Sequence, residues 1–101
     1  MELVGKIKVI RKAGNEKYPK TEVVLTTDEQ YPQDVLFEFG GEKNVDLPDP
    51  YNVGHNAKIH FNLRGREWIN PEGEVKYFNS LQGWRIEKVK DVNNVAVNDA
   101  Q

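Results

Sequence analysis

In the segment Leu63-Arg64-Gly65-Arg66-Glu67-Trp68, two cations and an aromatic ring fall at every second position. Residues two apart on an extended strand project from one face. Arg64, Arg66 and Trp68 therefore stand in a row. Lys58 has the same parity upstream, and so do His60 and Asn62. A ring offers bases a surface to stack on, worth about 1–3 kcal/mol per base. Guanidinium and ammonium groups attract phosphates, and a cation beside a ring adds cation–π attraction. Together these are the means of holding a single nucleic-acid strand. Ile59, Phe61 and Leu63 take the opposite parity and are expected in the core. A plainer arrangement is also open: Trp68 covers the rim of the core, and Arg64 and Arg66 pair with Glu72 or Glu74.

Other chemistries find little support. The chain has no cysteine, so disulfides, thiol catalysis and cysteine-based zinc sites are excluded. His55 and His60 lie five apart, and the strand neighbours of His60 on its own face are Lys58 and Asn62, which makes a poor metal site. Ser80 is the only serine, and no triad surrounds it. No phosphate-binding loop or dinucleotide motif follows Gly40-Gly41. No enzyme activity, cofactor or metal is expected.

With 101 residues, the chain suits one domain with one modest core. The net charge is −2, whereas nucleic-acid binders usually carry a basic footprint. The charges are unevenly spread. Residues 1–20 and 51–90 are mostly basic, and residues 28–50 are mostly acidic. A fold that joined the first and last thirds would have a basic side and an acidic side. Alternatively the charges simply solvate strand faces. No apolar run approaches the roughly 20 residues of a membrane span, and the alternating N-terminus reads as a strand, not an export signal. A cytoplasmic location is expected.

Five stretches carry strand patterns. "ELVGKIKVI" places Leu3, Gly5, Ile7 and Val9 on one face. "TEVVLTT" is β-branched, and "DVLFEFG" alternates, with Phe37 and Phe39 expected in the core. "GEKNVDLPDPYNVGHN" has room for one short helical turn before its prolines. "AKIHFNLRGREW" and "VKYFNSLQGWRIEKV" are long strands joined by the turn "INPEGE". Gly83 suggests a bulge in the last strand. Trp84 shares parity with Ile86 and is expected in the core. Tyr77 and Phe78 are adjacent, so one faces in and the other out. The predicted fold class is all-β: a five-stranded OB-fold Greek-key barrel with a short helical or irregular link between strands 3 and 4. A small sandwich and an SH3-like barrel are the alternatives. The predicted domain covers residues 1–90, followed by a polar, flexible C-terminal tail at 91–101.

Leu63-Arg64-x-Arg66-x-Trp68, the following Gly73 and the pair Lys76-Tyr77 together resemble bacterial single-stranded DNA-binding proteins, at the hairpin of their last two long strands. The "VLFEFGGE" stretch, Gly54 and Val4-Gly5-Lys6 are similar to other parts of that family, and the likeness spans about residues 2–89. The chain is also similar to an uncharacterised bacterial family of short OB proteins, through Gln30-Tyr31-Pro32, Phe37-Glu38 and Trp84 to Lys88. The first resemblance implies binding of single-stranded DNA or RNA, without strong sequence preference, by Lys58, Arg64, Arg66, Trp68, Lys76 and Tyr77. It also implies a homo-oligomer, a dimer or tetramer. In two respects the chain departs from that pattern. Lys58 and Phe61 stand where that family has Tyr and Gly, and "VAVNDAQ" is unlike its acidic, Phe-terminated tail. An OB-fold protein-interaction module is the alternative function, and oligosaccharide binding is a third.

Overall fold

Alternating apolar residues form the first strand, β1 (Glu2–Gly14), which turns back through Asn15 and Tyr18 into β2 (Pro19–Thr26). The computed structural model describes residues 1–89, and the tail expected at 91–101 lies outside the described residues. The third strand, β3 (Asp34–Gly40), pairs antiparallel with β2 and leads into a single helical turn, α1 (Gly41–Asn44). Two long strands follow, β4 (Asn56–Ile69) and β5 (Val75–Lys88). The strands close into a barrel in the order β1-β2-β3-β5-β4. Closure comes from β1 against β4 and from a parallel contact of β3 with β5, at Glu38 and Gln82. Five strands in this order, with the helix between the third and fourth, make an OB fold.

The core is a single cluster of Ile7, Val23, Leu25, Phe37, Phe39, Ala57, Ile59 and Ile86. These are the inward positions of all five strands, as the period of two requires. Phe61 packs edge-on to Phe37, with ring centroids 5.1 Å apart. Phe39 lies so close to Gly83 that a Cβ there would sit 2.5 Å from its ring. Below the barrel the link is held by backbone bonds from Ile7 to His55 and from Gly54 to Ile7, both 2.8 Å. Tyr51 adds a hydroxyl bond to the Ile86 carbonyl.

Three inward placements expected from alternation change in the structure. In β1 the register shifts between Ile7 and Val9, so Ile10, not Val9, packs on the core. In β5 the register shifts opposite His60 and Phe61, so Trp84 lies outside and is 46% exposed. Each bulge inserts one residue and reverses the parity beyond it. Leu63 is 57% exposed for a different reason: β4 has left the barrel by that point.

The acidic middle of the chain does not form a side of its own. Its carboxylates interleave with the cations of the first two strands. Lys8 meets Asp34, Lys12 meets Asp49 and Lys20 meets Glu38, each at 2.6 Å. Exposed pairs of this kind contribute little stability. Their consequence is electrostatic: they neutralise Lys8, Lys12 and Lys20 on the barrel wall.

Candidate nucleic-acid interface

Beyond Phe61 the β4–β5 hairpin continues as a two-stranded arm. Residues 62–69 of β4 and 75–79 of β5 are all exposed. Such a ribbon is marginal by itself in water, so its cross-strand pairs and tip turn must hold it. At the tip Asn70 and Glu74 exchange backbone and side-chain bonds, and the Asn70 carbonyl accepts from Gly73. Gly73 has φ +85°, a backbone conformation that favours glycine.

The register divides the arm into two faces. Arg64 lies opposite Ser80, Arg66 opposite Phe78 and Trp68 opposite Lys76. Directly opposed residues of an antiparallel pair share a face. The front therefore carries Arg64, Arg66, Lys76, Trp68 and Phe78. Trp68 meets Phe78 edge to face, with ring centroids 6.3 Å apart, and the Arg66 guanidinium lies 6.0 Å from the centre of the Phe78 ring. The reverse carries Leu63, Glu67, Ile69, Val75, Tyr77 and Leu81. There the Tyr77 hydroxyl donates to Glu67 at 3.1 Å.

The six residues singled out in the sequence are thus not one cluster. Arg64, Arg66, Trp68 and Lys76 come together on the front of the arm. Tyr77, though 74% exposed, is on the reverse. Lys58 shares the outward parity of the arginines but stays on the barrel wall beside Glu2, 3.9 Å away. Ten residues of strand separate it from Trp68, about 33 Å at the usual rise. Phe78, which the sequence pattern does not single out, stands with Arg64, Arg66, Trp68 and Lys76 on the front. Tyr77 and Phe78 take opposite faces, but neither faces in as expected, because the arm has left the barrel there, and the pairing across the tip turn decides which of them joins Trp68.

Arg64, Arg66 and Lys76 make no ion pair among the described residues, unlike Lys8, Arg11, Lys12 and Lys20 of the first two strands. At the base of the arm a groove of about 530 Å³ runs between the front face and β3, lined by Leu36, Glu38, Arg64, Arg66, Phe78 and Ser80. Its one carboxylate, Glu38, is occupied by Lys20 and by a bond from Gln82 at 3.1 Å. The hydrogen bond that Lys20 donates to Glu38, with the charge of Glu38 behind it, raises the pKa of the Lys20 ammonium above its ordinary value. The face is cationic and aromatic. No cluster of three or more His, Cys, Asp or Glu side chains that would hold a metal occurs among the described residues. No helix among them is long and apolar enough to cross a membrane.

Among solved structures, the chain is similar to the dimeric N-terminal domain of PriB protein from Thermoanaerobacter tencongensis. The match covers 90% of this chain and 96% of that one, with 16% identity and a TM-score of 0.63. At that identity the likeness is one of fold, and it agrees with the OB topology. A search of curated proteins finds no match. The model of a family described as a domain of unknown function, DUF3127, matches residues 2–87. The match runs from the start of β1 almost to the end of β5, and the chain belongs to the DUF3127 family.

Proposed function

We propose that this protein is a non-catalytic, cytoplasmic binder of single-stranded DNA, and that the front of the arm is its contact surface. One observation carries the reading. The cations left without a carboxylate on the arm share a face with two exposed aromatic rings. Arg64, Arg66 and Lys76 supply the charge for phosphates, and Trp68 and Phe78 supply the stacking surfaces. A net charge of −2 is compatible with this, because the front of the arm carries Arg64, Arg66 and Lys76 while the carboxylate of its strands, Glu67, stands on the reverse. The resemblance of residues 63–77 to bacterial single-stranded DNA-binding proteins supports the same reading. Lys58 lies too far along β4 to share a base with Trp68. Its place in the site would be at a distant point of a longer strand.

The test is a titration of thymidylate oligomers into the protein at low and moderate salt, with tryptophan fluorescence as the signal. Salt-sensitive binding with quenching supports the proposal. Absence of binding at low salt refutes it.

A second role, self-association, is favoured by the reverse of the arm. There Leu63, Ile69, Val75 and Tyr77 leave an apolar surface open. The dimeric state of the PriB domain supports the same expectation. Light scattering of the purified chain measures the oligomer directly, and a monomer at high concentration would count against it.

A further inference from the structure

The β5 bulge sets two consecutive side chains on the outer surface of the barrel. Gln82 and Arg85 lie opposite Asn62 and His60, which share the outward parity of β4, and Trp84 is the extra residue on the β5 side. A regular strand would send one of the pair Trp84 and Arg85 inward. Bulges commonly re-aim a side chain in this way next to functional sites. Here the result is a tryptophan 46% exposed beside an arginine whose side chain is 60% exposed. The indole is backed by the His60 ring, with centroids 5.3 Å apart at 43°.

Both tryptophans of the chain therefore belong to one outward face of the β4–β5 hairpin. Trp68 is near the tip and Trp84 is on the barrel wall. Between them the face carries Asn62 and Gln82, then Arg64 and Ser80, then Arg66 and Phe78. About eight residues of strand separate the two indoles, roughly 26 Å at the usual rise.

We infer that Trp84 is a second base-stacking platform, and that the bound strand runs along the outer face of the hairpin from Trp68 to Trp84. This rests on the single-strand reading of the arm. At a stacked rise of about 3.4 Å per nucleotide the span takes about eight nucleotides, within the ~4–16 typical of one OB fold. The two ends differ in character. Around Trp84 the charges are balanced: Glu87 meets His60 at 2.5 Å and Arg85 at 3.5 Å, while Glu2 lies 3.4 Å from His60 and 3.9 Å from Lys58. That end holds a base by its ring with little call on phosphate attraction, and the arm end does both.

The experiment uses two single-tryptophan proteins, Trp68→Phe and Trp84→Phe, with Trp84→Ala, a thymidylate dodecamer and a thymidylate tetramer. The dodecamer should quench the fluorescence of both single-tryptophan proteins. Trp84→Ala should bind the dodecamer about tenfold more weakly with an unchanged salt slope, and should bind the tetramer as the parent does. Circular dichroism and the melting temperature confirm that each variant is folded. If the parent binds the dodecamer but the Trp84 signal does not respond, the platform is refuted and the arm reading stands. The same holds if Trp84→Ala binds the dodecamer like the parent, or alters only the oligomeric state. If the parent binds neither oligomer, both readings fail together.

Discussion

Trp68 and Phe78 face each other across β4 and β5, edge to face, with ring centroids 6.3 Å apart. Neither ring is buried: Trp68 is 40% exposed and Phe78 48%. An aromatic pair held on an open ribbon is preorganised for stacking but adds nothing to the barrel core. Trp68→Ala should weaken binding of a thymidylate oligomer by about 1–3 kcal/mol and leave the unfolding midpoint close to the parent's. Phe78→Ala should behave alike. Tyr77→Ala, on the reverse of the arm, should have the smaller effect. A titration in which Tyr77→Ala is the most damaging of the three would reverse the assignment of faces.

Arg64 and Arg66 act through charge, so their loss should appear in the salt dependence. Each phosphate contact removed from a single strand reduces the slope of log K against log salt by about 0.7. The Arg64→Ala/Arg66→Ala double variant should therefore show a slope shallower by roughly 1.4. A variant that binds less tightly but keeps the parent slope would mean that the arginines pack the arm and do not meet phosphates.

Gly83 gives a prediction about stability alone. A methyl group there would sit 2.5 Å from the Phe39 ring, which is fully buried in the core. Overpacking of this kind costs about 1–3 kcal/mol. Gly83→Ala should lower the urea midpoint by a corresponding amount, with the far-ultraviolet spectrum retained. An unchanged midpoint would mean that Phe39 has room to move.

Two carboxylates tie stability to acid pH. The Asp34 carboxyl is held below its ordinary value of 3.8, first by the hydrogen bond from Lys8 and then by that from Thr26. Glu87 is held below 4.5, first by its hydrogen bond with His60, with Arg85 adding to it. A carboxyl with a lowered folded-state pKa contributes stability that is present above the ordinary value and is lost as the pH falls through the lowered one. Stability should hold from neutral pH down to about 5 and decline below it. Because both carboxylates are exposed and screened by solvent, Asp34→Asn and Glu87→Gln should each be only slightly less stable at neutral pH and show a slightly shallower acid decline. Melting temperatures measured across that range decide the point.

Much of the fold was legible because most strands obey a strict period of two. Phe37 and Phe39 alternate with Leu36 and Glu38, and the prolines after Val45 mark the link between the third and fourth strands. The OB order followed from three strands, a link and two long strands. What alternation missed lies at the bulges. Past Lys8 and past Trp84 one extra residue reverses the parity, so Ile10 replaces Val9 in the core and Trp84 stands outside. Gly83 pointed to the irregularity but not to its effect on Trp84. On the arm, parity placed Trp68 with Arg64 and Arg66. The choice between Tyr77 and Phe78 depends on the pairing Arg66 with Phe78, which the turn from Asn70 to Glu74 sets and parity within one strand does not. Of the two readings of the charge distribution, a separate basic side is not what forms, because Lys8, Lys12 and Lys20 meet acidic residues of the middle third.

The most direct measurement is fluorescence anisotropy of a labelled thymidylate dodecamer at low and moderate salt, with the parent and the Arg64→Ala/Arg66→Ala variant side by side. Parent binding that falls steeply with salt, together with a weaker and less salt-sensitive variant, is the result expected of a single-strand binder that uses the front of the arm. Parent binding absent at low salt, or equal in the two proteins at both salts, would contradict it.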